Sequence, residues 1–75
     1  MSRTNKTKEL LAQSLTELMV TTPLEKISVN DIVEHAGVGR NTFYYHFEDI
    51  PDLFRWMIRE YTNTMFQEAL SKENA

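Results

Sequence analysis

The chain has 75 residues, of which 41% are hydrophobic and 11% aromatic, and its formal net charge is −3 at pH 7. This size and composition predict one small packed domain and argue against an intrinsically disordered chain. The absence of cysteine excludes disulfide scaffolds and thiolate zinc sites, and no apolar run is long enough to predict a signal peptide or a membrane span.

Helical periodicity predicts a first helix from about Lys6 to Val20, because apolar residues recur three and four positions apart. The stripe consists of Leu11, Leu15, Leu18 and Met19, widened by Leu10 and Ala12. Pro23 in the following segment disfavours helical geometry in the residue before it, so we expect the helix to end ahead of that segment.

A second helix is predicted to begin at Ser28, which stands three residues before Asp31 in a spacing close to a capping box. Its predicted buried face consists of Val29, Ile32, Val33 and Ala36. Gly37 is predicted to end this helix, at a position where left-handed backbone is commonly needed.

Only Val38 and Gly39 separate Gly37 from the next predicted helix, which runs from Arg40 to about Phe47. Two short helices joined by a three-residue turn with glycine are typical of a helix-turn-helix.

The last helix is predicted to begin near Pro51, whose missing N–H costs nothing in a first turn, and to reach about Leu70. Its predicted inner stripe consists of Leu53, Phe54, Met57, Ile58, Tyr61 and Met65. Because no strand-like alternation or low-complexity linker occurs, we expect an all-α fold: one domain over residues 1–75, a small bundle of about four helices.

The third predicted helix has two chemically different sides. At 100° per residue, Phe43 and Phe47 share one side and, with Val38, would anchor the helix to the first two helices. The opposite arc carries hydrogen-bonding side chains and no carboxylate, namely Arg40, Asn41, Thr42, Tyr44, Tyr45 and His46. Arg suits guanine, Asn suits adenine, and hydroxyls and His suit phosphate, so this arc predicts a surface for the DNA major groove. The alternatives are a solvent-exposed face or a protein-docking patch, as in a helical interaction module or corepressor fragment.

The negative net charge does not oppose this interpretation. Residues 1–46 contain equal numbers of basic and acidic side chains, and the whole acidic excess lies in residues 47–75. One face of a protein can bind phosphates whatever its net charge.

The segment ISVNDIVEHAGVGRNTFYYHFEDIPDLF, residues 27–54, resembles the helix-turn-helix of the TetR/AcrR family of bacterial repressors. The resemblance is carried by the turn Ala-Gly-Val and the following Thr-Phe-Tyr-Tyr-His-Phe. It implies a homeodomain-like fold of the TetR amino-terminal type. It also implies sequence-specific binding of double-stranded DNA, at a palindromic operator, in transcriptional regulation as a repressor.

The resemblance also implies roles for individual residues. Positions matching Arg40, Asn41, Thr42 and Tyr45 reach bases or nearby backbone, those matching Tyr44 and His46 bind phosphates, and the start of the second helix touches phosphate. The predicted DNA-binding residues are therefore Ser28, Asn30, Gly39, Arg40, Asn41, Thr42, Tyr44, Tyr45 and His46.

The chain departs from the family pattern at the start of the fourth helix, where members usually have a phosphate-binding lysine. Here the residues are Glu48, Asp49 and Ile50. We therefore expect binding to depend on the third helix, on a basic amino-terminal arm with Arg3, Lys6 and Lys8, and on free N–H groups at the start of the fourth helix.

The second departure is size. Family members carry a larger carboxyl-terminal helical domain that dimerises and binds a small-molecule inducer. We expect the fourth helix to reach toward such a domain, a homodimer in the full-length context, and an inducer only if that domain exists. Its outer apolar residues exceed what the first three helices can cover, and residues 71–75 are expected to fray.

No catalytic or metal-binding constellation is predicted. The two histidines, His35 and His46, lie on different predicted helices without a carboxylate cluster, and His35 is expected on the solvent side. The chain has no activated nucleophile, no paired buried carboxylates and no glycine-rich phosphate loop, so we expect no enzymatic activity, cofactor or membrane partner. We expect a cytoplasmic location.

Overall fold

The computed structural model describes the backbone of residues 3–73 and the side chains of residues 6–71. The elements are α1 (Arg3–Leu18), a 3-10 helix (Leu24–Lys26), α2 (Val29–Ala36), α3 (Arg40–His46) and α4 (Ile50–Glu73). Over these residues the chain has no strand, which confirms the predicted all-α fold with its four α-helices. None of the described helices combines the length and the hydropathy needed to cross a bilayer.

The first helix begins and ends earlier than its apolar stripe predicts. Beyond Leu18 the chain leaves the helix through two turn bonds, in which the N–H groups of Thr21 and Thr22 donate to the Leu18 carbonyl. Leu11 and Leu15 are fully buried, whereas Leu10 and Met19 are exposed at the margins of the stripe. The buried face of α1 is therefore narrower than the sequence indicates.

The 3-10 helix was not predicted, because three residues are too few to show a periodicity. Pro23 stands at its amino-terminal end, and the N–H of Lys26 donates to the Pro23 carbonyl at 2.9 Å. The turn delivers Ile27 into the core, where it is buried.

Both ends of α2 are confirmed as predicted. The Asp31 N–H donates to Ser28 Oγ at 3.0 Å, and the Ser28 N–H donates to Asp31 Oδ2 at 3.0 Å, which completes the capping box. At the other end Gly37 adopts φ 76° and ψ 29°, and the N–H groups of Gly37 and Val38 both donate to the Val33 carbonyl. This left-handed residue turns the chain toward α3.

The core lies where α1 packs against the other three α-helices. Its buried apolar residues are Leu11, Ala12, Leu15, Ile27, Ile32, Val33, Phe43, Phe47 and Leu53. Phe43 is 0% exposed and Phe47 is buried beside it, with Val38 packed against the cluster, which confirms the predicted anchor of α3.

The outer half of α4 extends past this core. Leu53 is buried and Met57 is partly buried, but Ile58, Tyr61 and Met65 are exposed, so the predicted inner stripe is wrong for these three residues. The reason is length: 24 residues span about 36 Å, more than three short helices can cover. Beyond them, exposed apolar residues continue to Leu70, as expected. Residues 71–73 are helical rather than frayed, and residues 74–75 lie outside the described residues.

The two glycines of the turn give a matched test of its geometry. Gly37→Ala is expected to lower the free energy of unfolding by about 1–2 kcal/mol, because an L-residue is strained at positive φ. Gly39→Ala should cost less, about 0.5 kcal/mol, since Gly39 has φ −90° and an added Cβ would meet no atom within 4 Å, so that only the N-cap preference for glycine over alanine is lost. Urea denaturation of both variants measures the difference, and equal losses would contradict the left-handed constraint.

Candidate nucleic-acid interface

The outward side of α3 presents the six polar and aromatic side chains predicted from the helical wheel. Tyr45 is 83% exposed and Tyr44 48%, Arg40 and Asn41 are exposed, and Thr42 and His46 are half-buried. Arg40 lies at the amino-terminal end of this arc and His46 at its carboxyl-terminal end. Among the residues whose side chains are described, none of these six side chains forms a hydrogen bond or an ion pair. Their donors and acceptors are therefore available to an external partner.

Ring contacts hold several of these side chains in place. The Arg40 guanidinium lies 5.9 Å from the centroid of the Tyr44 ring, one helical turn away, and the Tyr44 ring meets buried Phe43 edge-on at 5.3 Å. Tyr45 and His46 are also edge-on, with centroids 5.0 Å apart. Because the rings rest on a buried neighbour, the polar ends of Arg40 and Tyr44 start from restricted positions.

The amino-terminal end of α3 has no side-chain cap. Gly39 occupies the N-cap position, where its carbonyl accepts from the N–H groups of Thr42 and Phe43. Because a Cβ at Gly39 would meet no atom within 4 Å, the packing of the domain does not require glycine there. The missing side chain leaves this backbone open to close approach from outside.

The start of α2 places its two predicted residues differently. Ser28 Oγ accepts the capping bond from Asp31 and keeps its own O–H as a donor. Asn30 Nδ2 instead donates to Glu34 Oε2 at 3.2 Å, on the exposed surface of the same helix. Ser28 is therefore ready to donate to an anion, and Asn30 keeps the second N–H of its amide as a donor while Glu34 accepts from the first.

The start of α4 offers fewer free N–H groups than expected. The Asp52 N–H donates to Asp49 Oδ1 at 2.9 Å, and the Leu53 N–H donates to the Asp49 carbonyl. Asp52 Oδ2 accepts from the Glu48 N–H at 3.0 Å, and Pro51 has no N–H. Carboxylates thus occupy the first turn where the family pattern has a cation, because they cap the helix.

The basic residues near the amino terminus do not form an arm. Helix α1 already begins at Arg3, so these residues lie on its first turns. Lys6 is exposed, the Arg3 side chain lies outside the described residues, and Lys8 is half-buried with Nζ 5.8 Å from the ring centroids of Phe47 and Trp56. Sequence reasoning missed this position of Lys8, because no local pattern connects α1 with the end of α3.

The histidine outside α3 has a structural partner. His35 is exposed, as predicted, and its Nε2 lies 3.3 Å from Glu17 Oε1, which joins α2 to α1. Trp56 is also a packing residue, since its ring lies 6.0 Å from that of Phe47. Within the residues whose side chains are described, no three His, Asp or Glu side chains are grouped as a metal site.

Comparison with known proteins gives two matches. Residues 7–57 match the family model described as bacterial regulatory proteins, tetR family. The chain is 33% identical over 51 residues to the HTH-type dhaKLM operon transcriptional activator DhaS of Lactococcus lactis subsp. lactis (strain IL1403). That match covers 68% of this chain and 27% of the relative, so the chain spans only a fraction of the relative's length. No solved structure gave a significant match.

The capping role of Asp49 can be separated from its charge. Asp49→Ala is expected to lower the free energy of unfolding by about 0.5–2 kcal/mol, because the Asp52 N–H loses its acceptor. Asp49→Ser retains a capping oxygen and should recover most of that loss. Glu48→Ala is the control, since only the backbone of Glu48 forms a hydrogen bond here. Thermal or urea unfolding of the three variants measures this, and equal stability of Asp49→Ala and the parent would contradict the cap.

Proposed function

Because the chain belongs to the TetR family of bacterial regulatory proteins, whose members bind DNA to regulate transcription, we propose that it does so as a repressor with α3 in the major groove. One observation carries this proposal. The outward side of α3 holds six hydrogen-bonding side chains that have no hydrogen-bonding partner among the described side chains, while Phe43 and Phe47 fix its inward side in the core.

The dimensions of α3 suit this placement. An α-helix with its side chains is about 10–12 Å across, and the major groove is about 12 Å wide, so α3 can enter with its exposed side toward the bases. The open backbone at Gly39 permits close approach of the turn to a DNA strand.

Base recognition is assigned to the most projecting side chains. Arg40 can form two hydrogen bonds with guanine, Asn41 two with adenine, and Tyr45 can contact a thymine methyl. Thr42, half-buried between them, reaches a base or the adjacent backbone. The contact of Arg40 with the Tyr44 ring restricts its guanidinium before DNA binds.

Phosphate binding is assigned to the flanks of α3. Tyr44 and His46 each have a polar atom at the edge of the exposed arc, supported by ring contacts to Phe43 and Phe47. Ser28 at the start of α2 adds an O–H donor, and Asn30 adds the amide N–H that is not bonded to Glu34. Such contacts set the orientation of the protein without reading sequence.

We further propose that two copies bind a palindromic operator. A single helix-turn-helix contacts only a few base pairs, and symmetric dimers gain specificity from two half-sites. The exposed apolar outer half of α4 supports this, because a second copy could pack against it. Additional residues of the kind that make the relative longer could also cover it. The isolated 75 residues are expected to be a monomer or weak dimer with DNA affinity on the order of micromolar at physiological salt.

Selection of bound sequences from random duplexes, with the chain held as a dimer, tests this function. We expect enriched palindromic sites, and a reporter gene with such a site across its promoter should lose expression when the protein is present. The relative is named an activator, so increased expression would overturn the repressor assignment alone. No enrichment, with binding to a protein partner that is insensitive to salt, would instead favour a protein-interaction module.

Removal of one phosphate contact should weaken binding to all sequences alike. Tyr44→Phe and His46→Ala are each expected to cost about 1–2 kcal/mol of DNA binding, because each removes one hydrogen bond. Tyr61→Phe is the matched control, since Tyr61 is an exposed tyrosine far along α4. Fluorescence anisotropy on operator and mixed-sequence duplexes measures both effects. A change in base preference with unchanged non-specific affinity would refute the phosphate role.

Removal of a base contact should instead weaken the sequence preference at a single base pair of each half-site. Arg40→Ala is expected to reduce discrimination at one base pair per half-site by about 1–3 kcal/mol, while other positions keep their preference. Arg59→Ala, which removes an exposed arginine of α4, is the control and should leave the profile unchanged. Competition binding with single-base variants of the operator gives the profile. Equal loss on every base at that position would reassign Arg40 to the backbone.

A further inference from the structure

Lys8 on α1 places a cation beside the end of α3. The Lys8 ammonium on α1 is 5.8 Å from the ring centroids of both Phe47 and Trp56, whose rings are themselves 6.0 Å apart. Lys8 is half-buried, whereas Lys6 and Glu9 on the same helix are exposed. Two aromatic rings therefore hold this charge in place, since a cation is attracted to the faces of aromatic rings.

The position of Lys8 is at the edge of the proposed DNA-binding surface. Phe47 directly follows α3, and its ring is 6.4 Å from that of His46, one of the two residues assigned to phosphate. Lys8 and His46 thus contact the same buried ring from α1 and from α3. The ammonium therefore lies near the carboxyl-terminal end of α3.

The aspartates at the start of α4 have partners other than the Lys8 ammonium. Asp49 and Asp52 cap α4, and Asp52 also lies 3.6 Å from the Arg55 guanidinium. Among the residues whose side chains are described, no carboxylate lies within 4 Å of Lys8 Nζ. An ammonium carries three N–H donors, so it can bind an anion while its stem stays packed on the rings.

We propose that Lys8 binds a DNA phosphate next to the one assigned to His46, and so supplies from α1 the cation that the start of α4 lacks. This rests on the proposed function, because it needs α3 in the major groove. Glu48 and Asp49 put carboxylates where the resemblance implies a cation, and Lys8 is a half-buried cation held beside the end of α3. Lys8 is therefore a phosphate-binding residue that confers affinity and not sequence preference.

The salt dependence of DNA binding tests this role. Lys8→Met keeps an unbranched apolar stem on the two rings and removes the charge, whereas Lys8→Arg keeps a cation that stacks on aromatic rings. Arg59→Met is the control, because Arg59 is an exposed cation of α4 that has no part in the proposed interface. Each chain is titrated against a mixed-sequence duplex over a series of salt concentrations, after circular dichroism has established that it is folded.

We expect Lys8→Met to reduce the slope of log K against log salt by about 0.9 per bound chain, the value for one phosphate contact. Lys8→Arg and Arg59→Met should keep the parent slope. A Lys8→Met variant that is less stable but has the parent slope would show a packing role only and overturn the proposal. An equal loss of slope in Arg59→Met would show a diffuse charge effect and also overturn it. A parent chain without salt-dependent DNA binding would overturn the proposed function itself, which distinguishes the two failures.

Discussion

The burial of Phe43 determines the orientation of the whole candidate interface. An α-helix advances 100° per residue, so once one side chain is fixed in the core the direction of every other side chain follows. Phe43 is completely buried, and Phe47, one turn later, is buried beside it. The intervening Tyr44 and Tyr45 therefore face solvent, and His46 lies half-buried at the edge of that side. A helix of seven residues cannot be stable alone, so α3 depends on this anchor for its existence as well as its direction.

The carboxylates at the start of α4 are needed to cap that helix, but their charge opposes phosphate binding at the proposed interface. Pro51, the second residue of α4, has no N–H, the Asp52 N–H donates to Asp49 Oδ1, and the Glu48 N–H donates to Asp52 Oδ2. These carboxylates stabilise the helix end, but they place negative charge beside a surface that is proposed to bind phosphate. The cation of α1 at Lys8, held on the rings of Phe47 and Trp56, is proposed to offset that charge from another part of the fold.

The size of the core limits what α4 can do. Its first turns complete the core through Leu53, and its outer half presents Tyr61 and Phe66 to solvent. A small domain buries only part of its apolar surface, so a long helix at its edge retains a face that another surface can cover. The relative has a much longer chain, which is consistent with such a surface.

The sequence by itself determined the four α-helices and the family. Ser28, Asp31 and Gly37 specify the ends of α2 through hydrogen bonds within a few residues, and helical spacing separates the buried from the exposed side of α3. These features are local, so pattern and capping chemistry suffice to predict them. The roles of the DNA-binding residues remain predictions. Only the tertiary structure decided that Lys8 lies beside Phe47 and that the outer part of α4 is uncovered. Both depend on where separate helices meet in space and how far the shared core extends, which no local periodicity records.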